Sequence, residues 1–283
     1  MNDLTSAVTK TSPPIKLPPH GLQKSTVPFP KLETNQAVVQ EVFSSIQGEG
    51  LYAGERQIFV RLAHCHLHCA YCDTPMTTPR GDCLVETEPG SHHWVSVPGV
   101  QRTEETEMLI AGLLAKAPHH SVSFTGGEPL LYPDYLSELM KRVQALGVQT
   151  YLETSGTQPH SLAKVLPYTD IISMDVKLPS TTQQAARWQQ HIDFYNTAKQ
   201  AEGVSLFIKC VVNQDSNTDE LLGLLPISAD SETVVFLQPE TDLQDAGKVR
   251  ISSQHLLDLH AFLAKHLIRV KVLPQTHKLM HIS

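Results

Sequence analysis

Apolar and polar positions change their spacing repeatedly along this chain, and each change predicts a secondary-structure element. Strand-like alternation begins at Ala37 and returns over 57–63. After Thr103, short apolar runs alternate with longer amphipathic segments, which is typical of strand and helix units. Later predicted strands cover 121–125, 148–152, 171–174, 205–212, 233–237 and 268–272. One predicted helix is capped by Thr103, and others cover 133–146, 161–165, 184–202 and 253–265, with a short helix near Glu220.

This alternation predicts a parallel sheet, whose ligands lie at the carboxyl ends of its strands. About six strands, from 57–63 through 233–237, are too few for a closed eight-stranded barrel. The predicted fold class is therefore α/β, with a partial, splayed (β/α)6 barrel.

The chain is predicted to hold a single domain over 37–283. Residues 1–36 are rich in Pro, Lys, Thr and Ser without an apolar period, which predicts an extended or disordered leader. Residues of about 75–101 are rich in Pro, Gly and Thr and are long for a loop, so they are interpreted as a functional lid or a family-specific insertion.

Composition narrows the function classes. The 283 residues are 41% hydrophobic, which supplies a substantial core, and the net charge of −7 argues against binding to nucleic acid or anionic membranes. No apolar run reaches membrane-spanning length and no signal-peptide pattern opens the chain. Five cysteines, an odd number, fit a reducing compartment. A cytoplasmic protein acting on a small molecule is expected.

The strongest chemical signal is the CxxxCxxC spacing of Cys65, Cys69 and Cys72. Three thiolates on one loop can hold three corners of a cubane iron-sulfur cluster and leave the fourth iron open. A zinc site is an alternative interpretation, with His64, His66 or His68 as the fourth ligand. A disulfide is a third reading, and it requires an oxidising compartment.

Polar residues follow the predicted strands where ligands are expected. Residues 125–129, Thr-Gly-Gly-Glu-Pro, follow one strand, and two later strands end in 153–157 and 173–177. Arg61 ends the strand before the cysteine loop, where it is well placed to clamp a carboxylate. Helix entry turns and polar helix caps are the alternative interpretation of these stretches.

The cysteine spacing, with Tyr71 before the last cysteine and Gly-Gly-Glu-Pro downstream, resembles the radical S-adenosylmethionine superfamily. The resemblance implies that the methionine moiety of S-adenosylmethionine chelates the open iron, with Gly-Gly-Glu-Pro holding its amino group. It also implies that an electron from the cluster splits this cofactor into methionine and a 5′-deoxyadenosyl radical.

Further stretches are similar to the 7-carboxy-7-deazaguanine synthase family over about 38–280. These are 43–50 (Phe-Ser-Ser-Ile-Gln-Gly-Glu-Gly), 59–62 (Phe-Val-Arg-Leu), 72–74 (Cys-Asp-Thr), 125–130 and 275–278 (Gln-Thr-His-Lys). This resemblance implies conversion of 6-carboxy-5,6,7,8-tetrahydropterin to 7-carboxy-7-deazaguanine with release of ammonia, on the route to queuosine. A regenerated cofactor, an assisting Mg²⁺ ion, a reducing electron donor such as a flavodoxin and a homodimer are also expected.

The resemblance carries roles onto matching positions. It implies that Cys65, Cys69 and Cys72 bind the 4Fe-4S cluster and that Thr74 ligates Mg²⁺. Implied S-adenosylmethionine contacts are Tyr71, Cys72, Asp73, Gly127, Glu128, Ser155, Ser173, Asp175 and Lys177. Expected pterin contacts are Ile46, Gln47, Gly48, Glu49, Arg61 and Thr125. No residue is assigned a catalytic role beyond these ligands.

Two alternative functions are also compatible with the cysteine loop. A glycyl-radical activating enzyme shares the short cluster loop and acts on a protein, whereas 47–50 and 72–74 favour the pterin interpretation. A non-catalytic iron-sulfur or zinc-binding module is the alternative from a different class. The leader, the 75–101 insertion and the extension beyond 277–278 depart from compact family members. The Ser-Met-Asp-Val-Lys stretch at 173–177 also departs from the usual family pattern.

Overall fold

An eleven-stranded sheet organises the computed structural model, which describes residues 31–74, 81–228, 232–267 and 269–282. Most of the predicted leader, residues 1–30, lies outside the described residues. The strands are β1 Gln36–Ile46, β2 Arg56–Leu62, β3 Asp82–Glu86, β4 Trp94–Pro98, β5 Val100–Arg102, β6 Ser121–Gly126, β7 Gln149–Thr154, β8 Ile171–Val176, β9 Ser205–Val212, β10 Val234–Pro239 and β11 Val270–Val272. The helices are α1 Thr103–Leu114, α2 Pro133–Ala145, α3 Pro159–Val165, α4 Pro179–Thr182, α5 Trp188–Ala198, α6 Thr218–Leu221, α7 Ser253–Ala264 and α8 Thr276–Leu279.

The strand order is β11-β10-β9-β8-β7-β6-β2-β1-β3-β4, and β5 pairs with β1. All neighbouring pairs from β2 and β6 through β10 and β11 are parallel. The sheet does not close, so the predicted α/β class with a partial barrel is confirmed. Because these parallel strands point the same way, their carboxyl ends share one rim.

Burial explains why these segments form strands and helices. All six residues of β10 are buried, as expected for a parallel strand covered on both faces. The buried face of α2 repeats at helical spacing, with Leu136, Leu139, Met140 and Val143 against the sheet. A separate cluster around Tyr151, built from Ile171, Phe207, Val234 and Phe236, fills the concave side near the amino ends of the strands. The polar residues at the carboxyl ends of the strands therefore lie above an apolar layer near the amino ends.

The structure departs from the prediction in 81–102. The sequence shows no periodicity there, yet β3 and β4 form an antiparallel hairpin that extends the sheet beyond β1. Cys83 and Val85 are buried by this hairpin, and Trp94 packs on Phe43 with a ring distance of 6.0 Å. Strands of five residues are too short to show a period, which explains the miss. Residues 75–80 of the predicted insertion lie outside the described residues.

Two smaller differences concern helices. The predicted helix 184–202 is α5, which begins only at Trp188, because Gln183 takes a left-handed conformation (φ 57°) that ends α4. Helix α8 was not predicted, since its four residues are too few to show an apolar stripe. Within the described residues, no helix has both the length and the apolar character needed to cross a bilayer.

Candidate active site

A cavity of about 520 Å³ opens at the carboxyl rim of the parallel strands. The cysteine loop, the turn after β6, the ends of β7 to β10 and the C-terminal segment all contribute to its lining. Of the residues that the sequence assigned to a site, all except Glu128 and Ser173 line this one cavity. The polar residues at the strand ends therefore lie together around one cavity, as the parallel sheet predicted.

The cysteine loop is seated against the turn that follows β6. Gly127 N donates to Leu62 O (3.0 Å), and Glu128 N donates to His64 O (2.8 Å). A Cβ atom added to Gly127 would lie 1.8 Å from His64 O, so only glycine permits this approach. Ala70 N also donates to Thr182 O (3.2 Å), which fixes the far side of the loop.

The three loop cysteines are free thiols that line the cavity. Burial raises the pKa of Cys65 to about 12 and also raises the pKa values of Cys69 and Cys72. Each sulfur therefore needs a bound cation to be present as thiolate at neutral pH. Three thiols on one loop are the donor set that a cubane cluster with one open iron requires, so these residues fit such a cluster.

Beside the cysteines, Lys177 is held by two rim residues. Its Nζ donates to Asp175 Oδ2 (2.6 Å) and to the Tyr71 hydroxyl (2.8 Å), and it lies 5.1 Å from the Tyr71 ring centre. Burial lowers the pKa of Lys177, but Asp175, Tyr71 and Cys69 together outweigh burial, and the net pKa lies well above its usual value. The second Asp175 oxygen, Oδ1, is buried and has no hydrogen-bond partner among the described residues. This oxygen is available to a bound cofactor.

His191 supports this rim from behind and was not found from the sequence. Its Nδ1 contacts Gly156 O (2.9 Å), and Lys177 N donates to its Nε2 (3.3 Å), so the Nδ1–H tautomer links the ends of β7 and β8. Burial lowers the pKa of His191 to about 4, which keeps the ring neutral at neutral pH. In the sequence this residue resembles an ordinary polar position of a helix.

A second set of polar contacts covers the opposite wall. Gln47 Nε2 donates to Glu153 Oε1 (2.7 Å) and to Gln57 Oε1 (3.0 Å). Thr125 Oγ1 donates to the other Glu153 oxygen (2.7 Å). Glu153 thus fixes two predicted pterin contacts and itself lines the cavity, although it was not assigned to the site.

Glu49 forms an ion pair with Lys209, a residue that the sequence analysis missed. Gln275 Nε2 also donates to Glu49 Oε1 (2.6 Å). Burial would raise the pKa of Glu49, but Lys209, Gln275 and His277 lower it to about 2. The carboxylate is therefore charged at neutral pH. A lysine inside the apolar run of β9 is the sequence feature that could have revealed this pair.

The C-terminal segment closes this side of the cavity. Thr276 N donates to Gly48 O (2.9 Å), and Lys278 pairs with Asp73 (2.5 Å). His277 lies so close to Gly48 that a Cβ atom on this glycine would meet its Nδ1 at 1.9 Å. Thr74 Oγ1 lies beside this junction and donates to Asp73 Oδ1 (3.3 Å). The segment therefore joins the cluster loop to the Gln-Gly-Glu turn.

Arg61 lies on the cavity wall between these two sides. Its Nε donates to Glu41 Oε2 (2.9 Å), and its guanidinium carbon lies 5.9 Å from the ring centre of Phe43. The ion pair and the ring hold the guanidinium plane in one orientation, as a carboxylate clamp requires.

Glu128 and Ser173 lie behind the cavity wall. Both are fully buried, and the Glu128 carboxylate accepts four hydrogen bonds. The donors are Leu130 N (3.1 Å), Thr154 Oγ1 (2.7 Å), Ser155 N (2.9 Å) and Ser155 Oγ (2.5 Å). The structure therefore places this side chain where it organises the rim around Ser155.

Comparisons with known proteins agree with this arrangement. A family model described as the Radical SAM superfamily matches residues 60–221. The 7-carboxy-7-deazaguanine synthase of Geobacter sulfurreducens is 36% identical over 248 residues, which cover 86% of this chain and 97% of that relative. The protein of the same name from Methanopyrus kandleri is 32% identical over 250 residues, covering 86% of this chain and 92% of that relative.

Among solved structures, QueE from Escherichia coli aligns with a TM-score of 0.55 at 23% identity, over 84% of this chain and 93% of that chain. A radical SAM methyltransferase from Sphaerobacter thermophilus aligns with a TM-score of 0.56 at 14% identity, over 78% of this chain and 66% of that chain. These two structures support the fold alone.

The superfamily match and the open parallel sheet define the class of the protein, which is a radical S-adenosylmethionine enzyme. The synthases of Geobacter sulfurreducens and Methanopyrus kandleri are both matched over more than nine tenths of their lengths. These matches identify the family to which the chain belongs within the superfamily. The chain belongs to the 7-carboxy-7-deazaguanine synthase family. The resemblance predicted from the sequence is thereby confirmed.

Proposed function

We propose that this enzyme converts 6-carboxy-5,6,7,8-tetrahydropterin to 7-carboxy-7-deazaguanine in queuosine biosynthesis. The observation that carries the proposal is one cavity that joins the three cysteines to a polar wall formed by Gln47, Glu49 and Glu153. Substrate and product differ by one molecule of ammonia, so the overall reaction consumes no oxidant or reductant. Because no net oxidation or reduction occurs, S-adenosylmethionine can be regenerated at the end of each turnover.

The residues present fit a 4Fe-4S cluster and S-adenosylmethionine. Cys65, Cys69 and Cys72 would hold the cluster, which together with S-adenosylmethionine supplies the radical that starts the reaction. Asp175 Oδ1 and the hydroxyl of Ser155 offer acceptors to donor groups of the cofactor. The protein's own contribution is to fix the position of the substrate and to exclude water.

The opposite wall suits a pterin that carries a carboxylate. Pterin ring edges present both N–H donors and carbonyl or ring-nitrogen acceptors, and the carboxylates of Glu49 and Glu153 can accept from the donors. Arg61 would bind the substrate carboxylate, with its guanidinium held by Glu41. Gln47 and Thr125 are oriented by Glu153 and would complete the pocket.

Replacement of Arg61 by Lys is expected to lower kcat/KM for the pterin by about 10- to 100-fold, because the planar fork is lost while the charge remains. Uncoupled cleavage of S-adenosylmethionine without the pterin should change little. Both rates are measured by chromatography of reaction products. Arg56→Lys, in the same strand but outside this cavity, is the control. Equal losses of both rates in Arg61→Lys would move Arg61 to the cofactor side.

We also propose that the hydroxyl of Thr74 would hold a Mg²⁺ ion, which would supply a positive charge beside the substrate. The support is its position at the cavity wall, next to Asp73 and two residues after Cys72. Mg²⁺ takes few protein oxygens and keeps water and substrate ligands, which a single threonine hydroxyl permits.

Thr74→Val is expected to give slow product formation that is nearly independent of added Mg²⁺, because the shape is kept and the oxygen is lost. Thr74→Ser should retain most of the dependence. Rates measured against Mg²⁺ concentration for the three proteins provide the test. A Val variant with the parent's Mg²⁺ response would show that the hydroxyl only caps the loop through Asp73.

The electron for the cluster comes from a reductant, and we propose a small redox protein such as a flavodoxin in a cytoplasmic setting. A homodimer is proposed as well. Its support is the exposed apolar surface of the β4 edge, where Trp94 is 37% and Val95 46% exposed. Sedimentation of the purified protein measures this oligomeric state.

One assay separates the proposed function from a glycyl-radical activating enzyme and from a module without turnover. The protein, reconstituted with iron and sulfide without oxygen, should bind roughly four irons per chain. On reduction it should cleave S-adenosylmethionine and consume the carboxytetrahydropterin without any protein substrate. Cofactor cleavage with no pterin consumption would favour the glycyl-radical alternative, and no cleavage would favour a binding module.

A further inference from the structure

The cysteine loop has two sides, and only one of them faces the cavity. Within 65–71, the odd-numbered residues line the cavity and the even-numbered residues do not. Of the even-numbered residues, His68 and Ala70 are exposed. The loop is therefore a single layer of chain, about 5 Å thick, with the cysteines on its inner side and exposed residues on its outer side.

Two other segments meet the loop and extend its outer side. Ala70 N donates to Thr182 O (3.2 Å), at the end of α4. His66 Nε2 lies 2.8 Å from Thr157 Oγ1, just before α3. Together these segments form one continuous surface beside the loop, and none of its residues lines the cavity. We call this surface the outer face, and it consists of His68, Ala70, His160 and residues 183–187.

The outer face differs in charge from the rest of the protein. Residues 61–72, 155–169 and 176–192 supply it, and none of these stretches contains an Asp or Glu, although the chain has 29 of them and a net charge of −7. Arg187 supplies a full positive charge. The exposed histidines can add positive charge but no negative charge. The outer face is therefore a neutral to positive surface on a negatively charged protein.

The positive charge of Arg187 lies close to the cysteine loop. Burial lowers the pKa of His66, Glu128 opposes this effect, and the charge of Arg187 lowers the pKa further, which places the guanidinium near the loop. Of the acidic residues around the outer face, Glu128 is fully buried, and Asp134 pairs with Lys164 (2.7 Å). Neither of these carboxylates cancels the charge that Arg187 presents to a partner.

An electron carrier must reach the cluster from outside the cavity, because the cofactor and the substrate would occupy the cavity. On the other flank of the loop, Asp73 pairs with Lys278, so the C-terminal segment covers that flank. The outer face leaves only one layer of chain between a partner and the cysteines. Its charge suits a partner with a negative surface, since complementary potentials raise the rate of encounter.

We propose that the outer face is the docking surface for an acidic one-electron carrier protein, which reduces the cluster through the cysteine loop. The carrier loses one electron and the cluster gains it, so the step needs no further reactant. The inference rests on the proposed function, which takes the cysteine loop as the cluster site and a reduced protein as the electron source. It adds the docking surface, the charge of the partner and the residues that recognise it.

The test measures docking and electron transfer separately, with the cluster-reconstituted protein and a flavodoxin of negative net charge. Calorimetry gives the Kd of the complex, and stopped-flow absorbance gives the rate at which reduced flavodoxin reduces the cluster. Dithionite, a small reductant that needs no docking surface, is used for comparison. The variants are Arg187→Glu, His160→Glu and their double variant, all outside the cysteine loop. Lys265→Glu, an exposed lysine at the far end of α7, is the control for net charge.

At low ionic strength, the double variant should bind flavodoxin about tenfold more weakly and should be reduced by it about tenfold more slowly. Each single variant should show a smaller loss of the same kind. These losses should shrink at high salt, because salt screens charges on the surface. Reduction by dithionite and iron content should match the parent in every variant, and Lys265→Glu should match the parent throughout.

Three results would overturn the proposal: flavodoxin binding and reduction at the parent level in the double variant, an equal loss in Lys265→Glu, or an equal slowing with dithionite. A changed oligomeric state of the double variant, measured by sedimentation, would instead assign the outer face to a second copy of the chain. Neither measurement involves the pterin. A protein that docks flavodoxin as expected but forms no deazaguanine would contradict the proposed function and leave this inference standing.

Discussion

Cys69→Ala is expected to abolish product formation and to lower bound iron below the roughly four irons per chain of the parent. Cys69 lines the cavity as a free thiol, and its burial means that the thiolate forms only against a bound cation. An iron without its thiolate leaves a labile cluster, which cannot hold an open corner toward the cofactor. Iron analysis and the visible absorption of the reconstituted protein provide the measurement.

Cys83→Ala is the matched control for that change. Cys83 is buried in β3 and does not line the cavity, so iron content and turnover should equal those of the parent. Cys65→Ala and Cys72→Ala should behave as Cys69→Ala does. Loss of the cluster in the Cys83 variant, or full activity in Cys69→Ala, would show that the ligands are wrongly assigned.

Lys209→Met is expected to destabilise the protein by about 3–5 kcal/mol, because it leaves a buried carboxylate without its partner. Lys209 is 5% exposed, and both it and its ion-pair partner Glu49 line the cavity. The free energy of unfolding is measured in urea at neutral pH. Lys164→Met removes an exposed partner of Asp134 and should cost less than about 1 kcal/mol.

The pH dependence of this pair has a defined sign. The folded-state pKa of Glu49 is about 2, below the ordinary value of 4.5, so its contribution to stability is fully present above pH 4.5 and is lost toward pH 2. In Lys209→Met, burial raises the pKa of Glu49, and protonation relieves the buried charge. The difference between variant and parent should therefore shrink as the pH falls from neutral to about 4. A difference that is constant with pH would contradict this account of the pair.

The sequence predicted most of the rim because parallel strands impose a simple geometry. Residues 125–129, 153–157 and 173–177 each follow an apolar run, and adjacent parallel strands bring such ends together. Gly127 was assigned for its motif, and the structure supplies the physical reason in its contact with His64. The shared rim was thus predictable from the spacing of the strands, whereas the roles of individual residues came from the family resemblance and stay predictions.

Other residues could not be predicted because their partners are distant in the sequence. Lys209 pairs with Glu49, 160 positions earlier in the chain. His191 contacts Gly156 and Lys177. The sequence around each residue shows no pattern that predicts these contacts. The burial of Glu128 behind Ser155 likewise depends on the contact between β6 and β7. The hairpin of β3 and β4 was missed because five-residue strands carry too little periodicity.

The central claim is that this enzyme catalyses the contraction of a pterin ring. Identification of the products tests this claim most directly. The reconstituted protein is incubated without oxygen with 6-carboxy-5,6,7,8-tetrahydropterin, S-adenosylmethionine, Mg²⁺ and a reductant, and the products are identified by mass spectrometry. The account predicts 7-carboxy-7-deazaguanine with an equimolar amount of ammonia, and S-adenosylmethionine that is largely conserved. Stoichiometric cofactor cleavage with an unchanged pterin, from a protein that carries a full cluster, would contradict it.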